Sequence, residues 1–452
     1  MSDRPLSAVI LAAGLGTRMR SRVPKVLHRV AGEAMIDRVL GACREAGVTD
    51  VLVVVAPGQQ EVVDHLGGSC DLVVQPQPLG TGHALAQVPP ERLAGDVIVL
   101  NGDMPLLRPQ TILRVLEAHR WAGVPATLAS VEDPARRDGR VIRRPDGSLD
   151  RIVEHRDAGP EVRAIPEINV GLYCFDGPRL VDALGRLRPD NGAGEYYLPD
   201  VFRHLRPTHV VRLEDPEEAL GVNDRVELAR AERSLRARIL EDLMRSGVTV
   251  VDPSTTFVDA GVRVGLDTVL EPFTILRGRT VIGEGCRIGP FTEVRDSTVG
   301  DGSRIEHSWL EGVEFGSGSD CGPFCKLRPG TRVGDGVHIG SFAELVRSRI
   351  GRGARVPHVS YLGDATVGEN VNVGAGTITA NYDGVRKNPT VIEDDAFIGV
   401  DTMLRAPVRV GRGARTGAGA VVTRDVPPGA VAVGMPARAM RRRPRSEDAS
   451  RP

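Results

Sequence analysis

The sequence predicts an α/β plus all-β chain, in which a doubly wound, Rossmann-like α/β domain precedes a linker helix and a parallel β-helix of hexapeptide repeats. Up to about residue 208, short Val/Ile runs alternate with segments of helical period, which is typical of parallel βαβ units. From about residue 252, helix signals fade and aliphatic residues recur every six positions. With 452 residues, the chain is also too long for one hydrophobic core. The expected boundaries are 1–223 for the α/β domain, 224–247 for the linker helix, 248–440 for the β-helix and 441–452 for a disordered basic tail.

The composition excludes several classes of function. The formal net charge is −1, so the chain lacks the basic excess of a nucleic-acid-binding protein. Apolar runs such as Val51–Val55 are about five residues long, far short of the roughly twenty that a membrane span needs. The six cysteines are scattered, and we interpret their one close pair, Cys321 and Cys325, as reduced thiols rather than metal ligands. We therefore expect a cytoplasmic protein that binds neither nucleic acid nor membranes.

The elements of the α/β domain are predicted from its apolar runs and helical periods. The first strand is expected at 8–11, further strands at 51–55, 72–75, 97–100, 127–131 and 169–175, and helices between them at positions such as 35–46 and 111–120. Ligands of such sheets bind beyond the carboxyl ends of the strands. The residues that follow each strand are therefore the first candidates for a site.

The turn after the first strand is predicted to cradle phosphate. Small residues at Gly14 and Gly16 let backbone N–H groups approach an anion, and Arg18 places a cation beside them. The turn is not a dinucleotide fingerprint, because Met19 replaces the third glycine, and it is not a Walker A loop, because no Gly-Lys-Ser/Thr follows. An ordinary glycine-rich turn is the alternative interpretation, which Arg18 and Lys25 disfavour.

Two later strand ends also carry polar residues. After the strand at 72–75, small residues would allow close approach to a flat base, and Gln75 offers a donor and an acceptor to its edge. Asp103 follows the strand at 97–100 and could help to hold the divalent cation that nucleotidyl transfer needs, although a surface-turn role is the alternative.

The stretch from Leu11 to Lys25 matches L-x-x-G-x-G-T-R-M/L-x(n)-P-K, so the chain resembles the sugar-nucleotide pyrophosphorylases. Further motifs are similar to the bacterial N-acetylglucosamine-1-phosphate uridylyltransferases, the N-terminal half of a bifunctional family. These motifs are Gln75-x-x-x-Leu79-Gly80-Thr81-Gly82-His83, Asp133-Pro134 with Gly139-Arg140, Val153-Glu154-His155-x-Asp157-Ala158, Glu167-Ile168-Asn169, Gly194-Glu195-Tyr196-Tyr197-x-x-Asp200 and Gly221-Val222-Asn223.

The resemblance implies a role for each matching position. The UTP-binding residues would be Leu11, Ala12, Ala13, Gly14, Lys25, Gln75, Gly80, Thr81 and Asp103. The residues that bind N-acetylglucosamine-1-phosphate would be Gly139, Glu154, Asn169 and Asn223. Arg18 and Lys25 would act on the triphosphate, and Asp103 and Asn223 would hold Mg²⁺. The family often has an aromatic residue where this chain has Asn101.

The expected chemistry needs no protein nucleophile. A sugar-phosphate oxygen attacks the α-phosphorus of UTP in line, pyrophosphate leaves, and negative charge accumulates in the transition state. Mg²⁺, Lys25 and Arg18 would supply the compensating positive charge. Another nucleotidyltransferase, with a different base or sugar, is the alternative for this half.

A single helix is predicted at 224–246. Leu228, Ala231, Leu235, Ile239 and Leu243 recur at helical spacing. We expect two i,i+4 ion pairs along it, Glu232 with Arg236 and Glu241 with Arg245. A helix of this length could act as a strut between two domains.

Hexapeptide spacing defines the β-helix, in which three six-residue faces form one coil of about 18 residues. The residues predicted to point inward are Ile282, Ile288 and Val294; Val333, Ile339 and Leu345; Ile350, Val356 and Leu362; and Ile392, Ile398, Leu404, Val410 and Thr416. Two stretches, 357–364 and 381–387, are expected to interrupt this pattern and to loop outward.

Both stretches resemble the glucosamine-1-phosphate acetyltransferase half of the same bifunctional family. The resemblance implies a left-handed β-helix, packing into a homotrimer, and His358 as the general base for attack of the sugar amine on acetyl-CoA. It also implies that Arg328, Glu344, Tyr361, Asn372 and Lys387 bind glucosamine-1-phosphate. The acetyl-CoA-binding residues would be Ala375, Asn381, Tyr382, Ala418 and Arg438, with Asn381 and Tyr382 reaching a neighbouring subunit.

This half departs from the family pattern at two positions. The family has a lysine where this chain has Val346, and a serine where it has Val400. Arg347 is adjacent to Val346, but strand alternation is expected to turn it to the opposite side. Three interpretations therefore stay open for the β-helix: an acetyltransferase, a non-catalytic trimerisation scaffold, and a zinc site, which the spacing of His307, His338 and His358 disfavours.

Overall fold

The computed structural model of the chain describes residues 4–440, and the basic tail predicted at 441–452 lies outside the described residues. The chain divides into two compact units at the bond between Leu235 and Arg236. Among the described residues, no helix is both long enough and apolar enough to cross a membrane.

The first unit is built around a mixed β-sheet with helices on its two faces. Its strands are β1 (Leu6–Leu11), β2 (Arg29–Val30), β3 (Glu33–Ala34), β4 (Asp50–Val55), β5 (Asp71–Val74), β6 (Asp96–Asn101), β7 (Ala126–Glu132), β8 (Arg140–Arg143), β9 (Leu149–Val153), β10 (Glu167–Asp176) and β11 (Thr208–Arg212). Its helices are α1 (Met35–Glu45), α2 (Gln60–Leu66), α3 (Thr81–Leu85), α4 (Pro109–Ala122), α5 (Pro160–Arg163) and α6 (Gly177–Leu184), followed by α7 (Arg225–Arg245), which runs past the boundary between the units. Short 3₁₀ turns lie at Thr17–Met19, Lys25–Leu27, Pro90–Leu93, Leu198–Arg203 and Pro216–Ala219.

The strand order of the main sheet is β11-β7-β10-β6-β1-β4-β5. Alternation along each buried strand sends side chains to two separate cores: Ala8 and Ile10 pack on one side of β1, whereas Val9 packs on the other. This two-sided burial explains why the strands appear in the sequence as continuous apolar runs.

The expectation of parallel strands throughout this sheet is wrong for β10. This strand lies antiparallel to both β6 and β7. The chain between β7 and β10 forms the β8–β9 hairpin and has no crossover helix long enough to return it to a parallel start. The beginning of β10 consequently lies at the same edge as the ends of β1 and β6, which brings Asn169 to that edge.

The second unit is a parallel β-helix with three faces, and the predicted fold class of the chain is confirmed. Face 1 contains Thr249–Val250, Val269–Leu270, Arg287–Ile288, Arg304–Ile305, Asp320–Cys321, His338–Ser341, Arg355–His358, Asn372–Val373, Phe397–Ile398, Arg415–Thr416, Val431–Val433 and Arg438–Met440. Face 2 contains Phe257–Val258, Thr274–Arg277, Thr292–Arg295, Trp309–Glu311, Lys326–Leu327, Glu344–Val346, Tyr361–Gly363, Ile378–Ala380, Met403–Arg405 and Val421–Val422. Face 3 contains Arg263–Val264, Val281–Ile282, Thr298–Val299, Glu314–Phe315, Arg332–Val333, Arg349–Ile350, Ala365–Val367, Thr390–Ile392 and Val408–Val410.

All the residues predicted to point inward are buried and form one continuous core, with Thr416 as the polar exception at its end. The helical residues Ile239, Leu240 and Leu243 pack against the first coil of this core. The antiparallel pairing of Val431–Val433 with Arg438–Met440 closes the last described rung. Both ends of the stack are thus covered by non-repeating structure, as a solenoid requires.

Of the two expected interruptions, only the second exists. Leu345 pairs with Leu362, so the coil containing residues 357–364 stays in register. Ile350 pairs with Val367, but Val367 pairs with Ile392, so the following coil is eight residues longer. The extra residues leave the stack between Ile378–Ala380 and Thr390–Ile392, and we call residues 381–388 the excursion.

One of the two predicted ion pairs along α7 is present. Arg245 Nη2 lies 2.6 Å from Glu241 Oε1. Glu232 instead accepts a hydrogen bond from the Ala31 backbone N–H (2.7 Å). The Arg236 guanidinium stacks over the Phe257 ring, 4.0 Å from its centroid. Tertiary contacts have therefore replaced the weak local pair that the spacing suggested.

Candidate functional site

The first unit contains two adjoining cavities at the edge where β1 and β6 end. A cavity of about 550 Å³ is lined by the loop from Leu11 to Arg18 together with Gln75 and Gly80. A cavity of about 830 Å³ is lined by Gly139, Glu154 and Asn169, among others. Both cavities share Leu11, Arg18, Thr81, Asn101, Asp103 and Asn223. The predicted nucleotide and sugar residues therefore lie on two sides of one shared wall.

The loop after β1 brings Lys25 to this wall. Gly16 has φ +58°, and a Cβ atom there would lie 2.7 Å from Lys25 Cβ, so only glycine lets the two chain segments meet. The loop leads into the 3₁₀ turn at Thr17–Met19 and not into an α-helix. Anion binding at this loop would therefore depend on its own backbone N–H groups and on Arg18 and Lys25.

Lys25, Asp103 and Asn223 converge at one point. Lys25 Nζ donates to Asp103 Oδ2 in a short contact and to Asn223 Oδ1 at 3.2 Å. Asn223 is fixed by its own N–H, which donates to Glu227 Oε2 (2.7 Å), and the Val222 N–H donates to the Asp103 carbonyl (2.9 Å). A carboxylate oxygen and an amide oxygen, 120 residues apart in sequence, are thereby aimed at a single cation.

The Gln75 side chain is buried, and its amide nitrogen already has hydrogen-bond partners within the protein. Its Nε2 donates to the Gly80 carbonyl (3.0 Å) and lies 3.1 Å from His83 Nδ1. The expectation that Gln75 offers both a donor and an acceptor to a base is thus corrected. Its carbonyl oxygen is the group left to receive a hydrogen bond from a ligand.

The loop at Gly80 is held by the segment that contains Tyr196. The Tyr196 N–H donates to the Leu79 carbonyl (2.7 Å), and the Gly82 N–H donates to the Tyr196 carbonyl (2.8 Å). Gly80 has φ +105°, and a Cβ atom there would lie 2.6 Å from the Tyr196 carbonyl oxygen. Thr81 Oγ1 accepts from the Leu198 N–H at 3.1 Å. We call this contact between residues 79–82 and 196–198 the loop clamp.

We call the cavity lined by Gly139, Glu154 and Asn169 the sugar-side cavity, after the residues predicted to bind the sugar. Two of its carboxyl groups have raised pKa values. Burial raises the pKa of Glu154 to about 7, and the nearby Asp138 carboxylate adds to this effect. Burial likewise raises the pKa of Asp138, although the Arg136 guanidinium, 2.7 Å away, opposes the shift. Asn169 Nδ2 donates to the Tyr173 hydroxyl (2.7 Å), which fixes the amide, and both residues line this cavity.

Sequence reasoning missed several charged residues of this cavity, among them Arg136, Asp138 and Arg230. Arg136 and Asp138 lie between the quoted motifs Asp133-Pro134 and Gly139-Arg140. The high density of charged residues in this short loop is the feature of the sequence that could have indicated them. Arg230 lies on α7 and pairs with Glu217 (3.1 Å), which no local pattern indicates.

In the second unit, part of the predicted acetyl-transfer set lines one groove. His358, Asn372, Ala375 and Ala418 line a groove of about 550 Å³ together with Val400. The His358 side chain is exposed, while its backbone is fixed by Ser360 Oγ, which donates to the His358 carbonyl (2.8 Å). An exposed imidazole on a rigid backbone suits proton transfer to or from a bound molecule.

The remaining predicted residues lie elsewhere on the β-helix. Arg328 Nη1 is 3.3 Å from Glu344 Oε1 on face 2, and Glu344 is in register with Tyr361 on the next rung. Tyr382 and Lys387 form an isolated bridge across the excursion. Arg438 is exposed on the last rung, opposite Val433. Within this chain these residues therefore form no single pocket with His358.

The prediction for Val346 and Arg347 needs correction. The face 2 strand ends at Val346, and Arg347 has φ +47° at the following corner, so strand alternation does not apply to it. Arg347 Nε and Nη2 donate to the two carboxylate oxygens of Asp364 at 2.7 and 2.9 Å. Val346 is itself buried, with 4% of its surface exposed. Arg347 is therefore committed to Asp364 and does not lie in the space that a lysine at Val346 would fill.

A row of rings, all exposed except the half-buried His307, runs along the corner between faces 1 and 2. Neighbouring ring centroids lie 4.6 to 5.6 Å apart, and each residue has a positive φ. We call this row the aromatic ladder; its members are Phe273, Phe291, His307, Phe324 and Phe342. Val359, beside His358, occupies the same corner on the next rung.

Comparisons with known proteins cover both units. A MobA-like NTP transferase domain matches residues 8–206, and a bacterial transferase hexapeptide family of six repeats matches residues 389–424. The bifunctional protein GlmU of Heliobacterium modesticaldum is 48% identical over 434 residues, which are 94% of this chain and 95% of that protein. The proteins of the same name from Pelotomaculum thermopropionicum and Geobacillus thermodenitrificans are 50% and 44% identical, over 89% and 94% of this chain and 90% and 95% of their own length.

Proposed function

The chain belongs to the family of bifunctional GlmU proteins, and from that membership we propose that it makes UDP-N-acetylglucosamine in two steps, one in each unit. The β-helix transfers an acetyl group from acetyl-CoA to glucosamine-1-phosphate. The α/β unit then transfers uridylyl from UTP to N-acetylglucosamine-1-phosphate and releases pyrophosphate. The substrates of both steps are small molecules, and we expect the chain in the cytoplasm, where UTP and acetyl-CoA are available.

The observation that carries the uridylyl step is the convergence of Lys25, Asp103 and Asn223 on the wall between the two cavities. UTP would occupy the cavity with Gln75 and Gly80, and the sugar phosphate would occupy the cavity with Glu154 and Asn169. The α-phosphorus would then lie at the shared wall. A sugar-phosphate oxygen attacks there, and the bond from the α-phosphorus to the pyrophosphate oxygen breaks.

The residues at the wall fit a divalent cation. The oxygens of Asp103 and Asn223 already meet on one positive group, the Lys25 ammonium. Mg²⁺ takes few protein ligands of this kind and completes its shell with water and phosphate oxygens. When bound, Mg²⁺ would neutralise phosphate charge and orient the triphosphate. Lys25 and Arg18 would stabilise the negative charge that develops on the leaving pyrophosphate.

The acetyl step is assigned to the groove that contains His358. The amine nitrogen of glucosamine-1-phosphate attacks the thioester carbonyl carbon, and His358 accepts the proton that the nitrogen loses. The carbon–sulfur bond then breaks, and the departing coenzyme A thiolate takes up that proton to leave as the thiol. Asn372, Ala375 and Ala418 line the same groove. A β-helix that served only as a trimerisation scaffold would not need this arrangement of groove residues, and that alternative is not favoured.

We further propose that the chain assembles as a homotrimer in which the aromatic ladder is covered. The ladder exposes large apolar rings, for example 56% of Phe324 and 60% of Phe342, along one straight corner. Contiguous exposed apolar surface of this kind marks interaction sites. It ends one rung from His358, so a neighbouring copy at this corner would lie beside the groove.

Sedimentation of the full chain tests the assembly. We expect a trimer at micromolar concentration and a smaller species for the variant Phe324→Glu with Phe342→Glu. Leu266→Glu, at an exposed apolar residue of a different corner, should leave the trimer intact. A stable monomer of the unmodified chain would contradict the proposal.

The overall function is tested by product analysis. The purified chain should convert acetyl-CoA, glucosamine-1-phosphate, UTP and Mg²⁺ to coenzyme A, pyrophosphate and UDP-N-acetylglucosamine, as resolved by mass. If N-acetylglucosamine-1-phosphate is needed in place of glucosamine-1-phosphate, then the chain is a uridylyltransferase alone. If other nucleoside triphosphates serve as well as UTP, then the assignment of the base is wrong.

A further inference from the structure

The excursion at 381–388 begins at Asn381, whose N–H donates to the Thr379 carbonyl (2.9 Å) and whose side chain bonds to Asp364 on the preceding rung. Asn381 Nδ2 donates to Asp364 Oδ2 at 2.5 Å, at the point where the excursion begins. The Thr390 N–H donates to the Asp364 carbonyl at 3.2 Å, just after the chain has returned to the stack. Asp364 therefore contacts the first residue of the excursion through its side chain, and through its backbone it contacts the strand that follows the excursion.

The Asp364 carboxylate is itself fixed from the preceding rung. Arg347 donates to both of its oxygens in a bidentate pair at 2.7 and 2.9 Å. Arg347, Asp364 and the start of the excursion occupy the corner between faces 2 and 3 on three successive rungs. The Arg347 guanidinium lowers the pKa of Asp364, and the Asn381 amide adds to this effect, which keeps the carboxylate ionised.

Hydrogen bonds within the excursion hold its residues together, so the attachment to Asp364 can orient the excursion as a unit. The Asn388 N–H donates to the Asn381 carbonyl at 2.7 Å and closes its base. Asn388 Nδ2 donates to Asp383 Oδ2 at 2.9 Å, and Asp383 also accepts from the Val385 and Arg386 N–H groups. We expect a loop closed in this way to move as one body, so that the contacts at its base, including the one to Asp364, set the direction in which Tyr382 and Lys387 point.

We propose that Asp364 is a positioning residue for acetyl transfer, because its carboxylate links Arg347 to Asn381 and thereby holds the excursion in the orientation that acetyl-CoA requires. The proposal rests on the acetyl step proposed above. Asp364 does not line the groove that contains His358, so it acts through the excursion and not on the reacting atoms. Arg347 contributes to this link by holding the Asp364 carboxylate from the preceding rung.

The test is Asp364→Asn in the full chain. Asp364 has φ +51°, a conformation that asparagine tolerates as well as aspartate, and the backbone bond to Thr390 is kept. The variant therefore removes the charge and presents an N–H₂ group to two donors. We expect amide hydrogen exchange to accelerate about 10-fold or more at 382–388, as local opening predicts. We expect the KM for acetyl-CoA to rise about 10-fold with a kcat change below about 3-fold, the range for losing a hydrogen bond to a charged group.

Asp296→Asn is the matched control. Asp296 lies at the same corner with φ +46°, and its Oδ1 accepts from the Arg279 N–H (2.9 Å), which an asparagine oxygen can also do. This variant should change neither exchange at 382–388 nor the KM for acetyl-CoA, and uridylyl transfer should be unchanged in both variants.

The outcomes separate this proposal from the proposed function. Unchanged exchange at 382–388 in Asp364→Asn overturns the proposal, and so does faster exchange with an unchanged KM for acetyl-CoA. A rise in that KM without faster exchange also overturns it, since the carboxylate would then act directly. If the unmodified chain fails to transfer acetyl groups, the acetyl function is wrong and this inference is wrong with it, even where faster exchange shows that Asp364 anchors the excursion.

Discussion

Glu154 lines the sugar-side cavity, and its surroundings strongly shift the pKa of its carboxyl group. Burial and the neighbouring Asp138 raise its pKa from the ordinary 4.5 to about 7. A raised carboxyl pKa means that the folded chain keeps a proton that the unfolded chain releases. The stabilising difference is therefore fully present below pH 4.5 and is lost as the pH rises through 7.

We predict that Glu154→Gln increases the stability of the α/β unit at pH 8 but not at pH 4.5. Glutamine has no charge to desolvate, so the gain at pH 8 should be about 1 to 3 kcal/mol, given about 1.4 kcal/mol per pKa unit and partial exposure of the site. Calorimetric unfolding of both proteins at the two pH values measures this. Glu117→Gln, at an exposed position of α4, should show no such pH-dependent difference. An equal effect of Glu154→Gln at both pH values would contradict the assigned cause.

His358 is the residue that we propose as the proton acceptor in acetyl transfer. If its imidazole accepts the amine proton, His358→Ala should lower the rate of acetyl transfer by roughly 10²- to 10⁴-fold, the usual range for positioned proton transfer. Release of coenzyme A thiol measures the rate, and uridylyl transfer in the same preparation is the control. An unreduced rate would require a different base among the polar residues of the groove.

Single residues were predictable where chemistry and sequence spacing coincide. Asp103 comes shortly after the apolar run at 97–100 and was predicted from it, whereas Asn223 was implied only by the family resemblance, and the structure brings both to Lys25. The hydrogen bonds of the Gln75 amide nitrogen were not predictable, because its partners Gly80 and His83 become its neighbours only through the fold of the loop. The roles of these residues in binding and catalysis stay predictions.

At the scale of elements, the loop clamp is the feature that determines the shape of the nucleotide cavity. Residues 79–82 and 196–198 are far apart in sequence and meet through two backbone hydrogen bonds. The close approach at Gly80 leaves no room for a side chain. Small displacements of such positioning segments are costly for reactions that depend on alignment.

We predict that Gly80→Ala raises the KM for UTP about 10-fold or more, because the new Cβ atom would push the Tyr196 carbonyl away and strain the backbone. Steady-state uridylyl transfer measures the effect. Gly147→Ala is the matched control, since Gly147 has φ +82° but open space around it. Gly147→Ala introduces the backbone strain without a steric clash. An equal rise in its KM for UTP would show that the loop clamp does not cause the effect of Gly80→Ala.

Element types could be predicted from periodicity, but strand direction and the site of the excursion could not. An apolar run such as that of β10 has the same period in either direction, and only the absence of a crossover helix reverses it. Residues 357–364 suggested an interruption because they lack the hexapeptide pattern, yet Val359 turns the corner with φ +41° and the register holds. Backbone conformations of this kind have no clear sequence signal outside glycine and asparagine.

At the scale of the whole molecule, the two proposed sites are built from separate sets of residues. Those proposed for uridylyl transfer fall before residue 236 and those proposed for acetyl transfer fall after it. Each unit has its own hydrophobic core. The two activities should therefore respond independently to substitutions.

We predict that Asp103→Ala abolishes uridylyl transfer and spares acetyl transfer. The variant removes one of the two oxygens that would hold Mg²⁺ and also frees Lys25 from its partner. Pyrophosphate release and thiol release, measured in one preparation, report the two steps separately. Loss of both activities in a folded trimer would show that the sites are coupled.

The pairing interval of the β-helix also limits how its length can change during evolution. Away from the excursion, successive rungs pair residues 16 to 18 positions apart, as Glu293 with Trp309, Ile350 with Val367 and Leu276 with Val294. The corners therefore absorb differences of one residue, whereas an insertion of one residue within a strand would turn the inward side chains that follow it in that strand toward solvent. Viable insertions and deletions should therefore comprise a whole turn, fall as single residues at a corner, or leave the stack at a corner as residues 381–388 do. Natural length variation in this half of the chain is thus expected at corners or in steps of a whole turn, and the number of turns can differ between relatives while each strand keeps its alternation of inward and outward side chains.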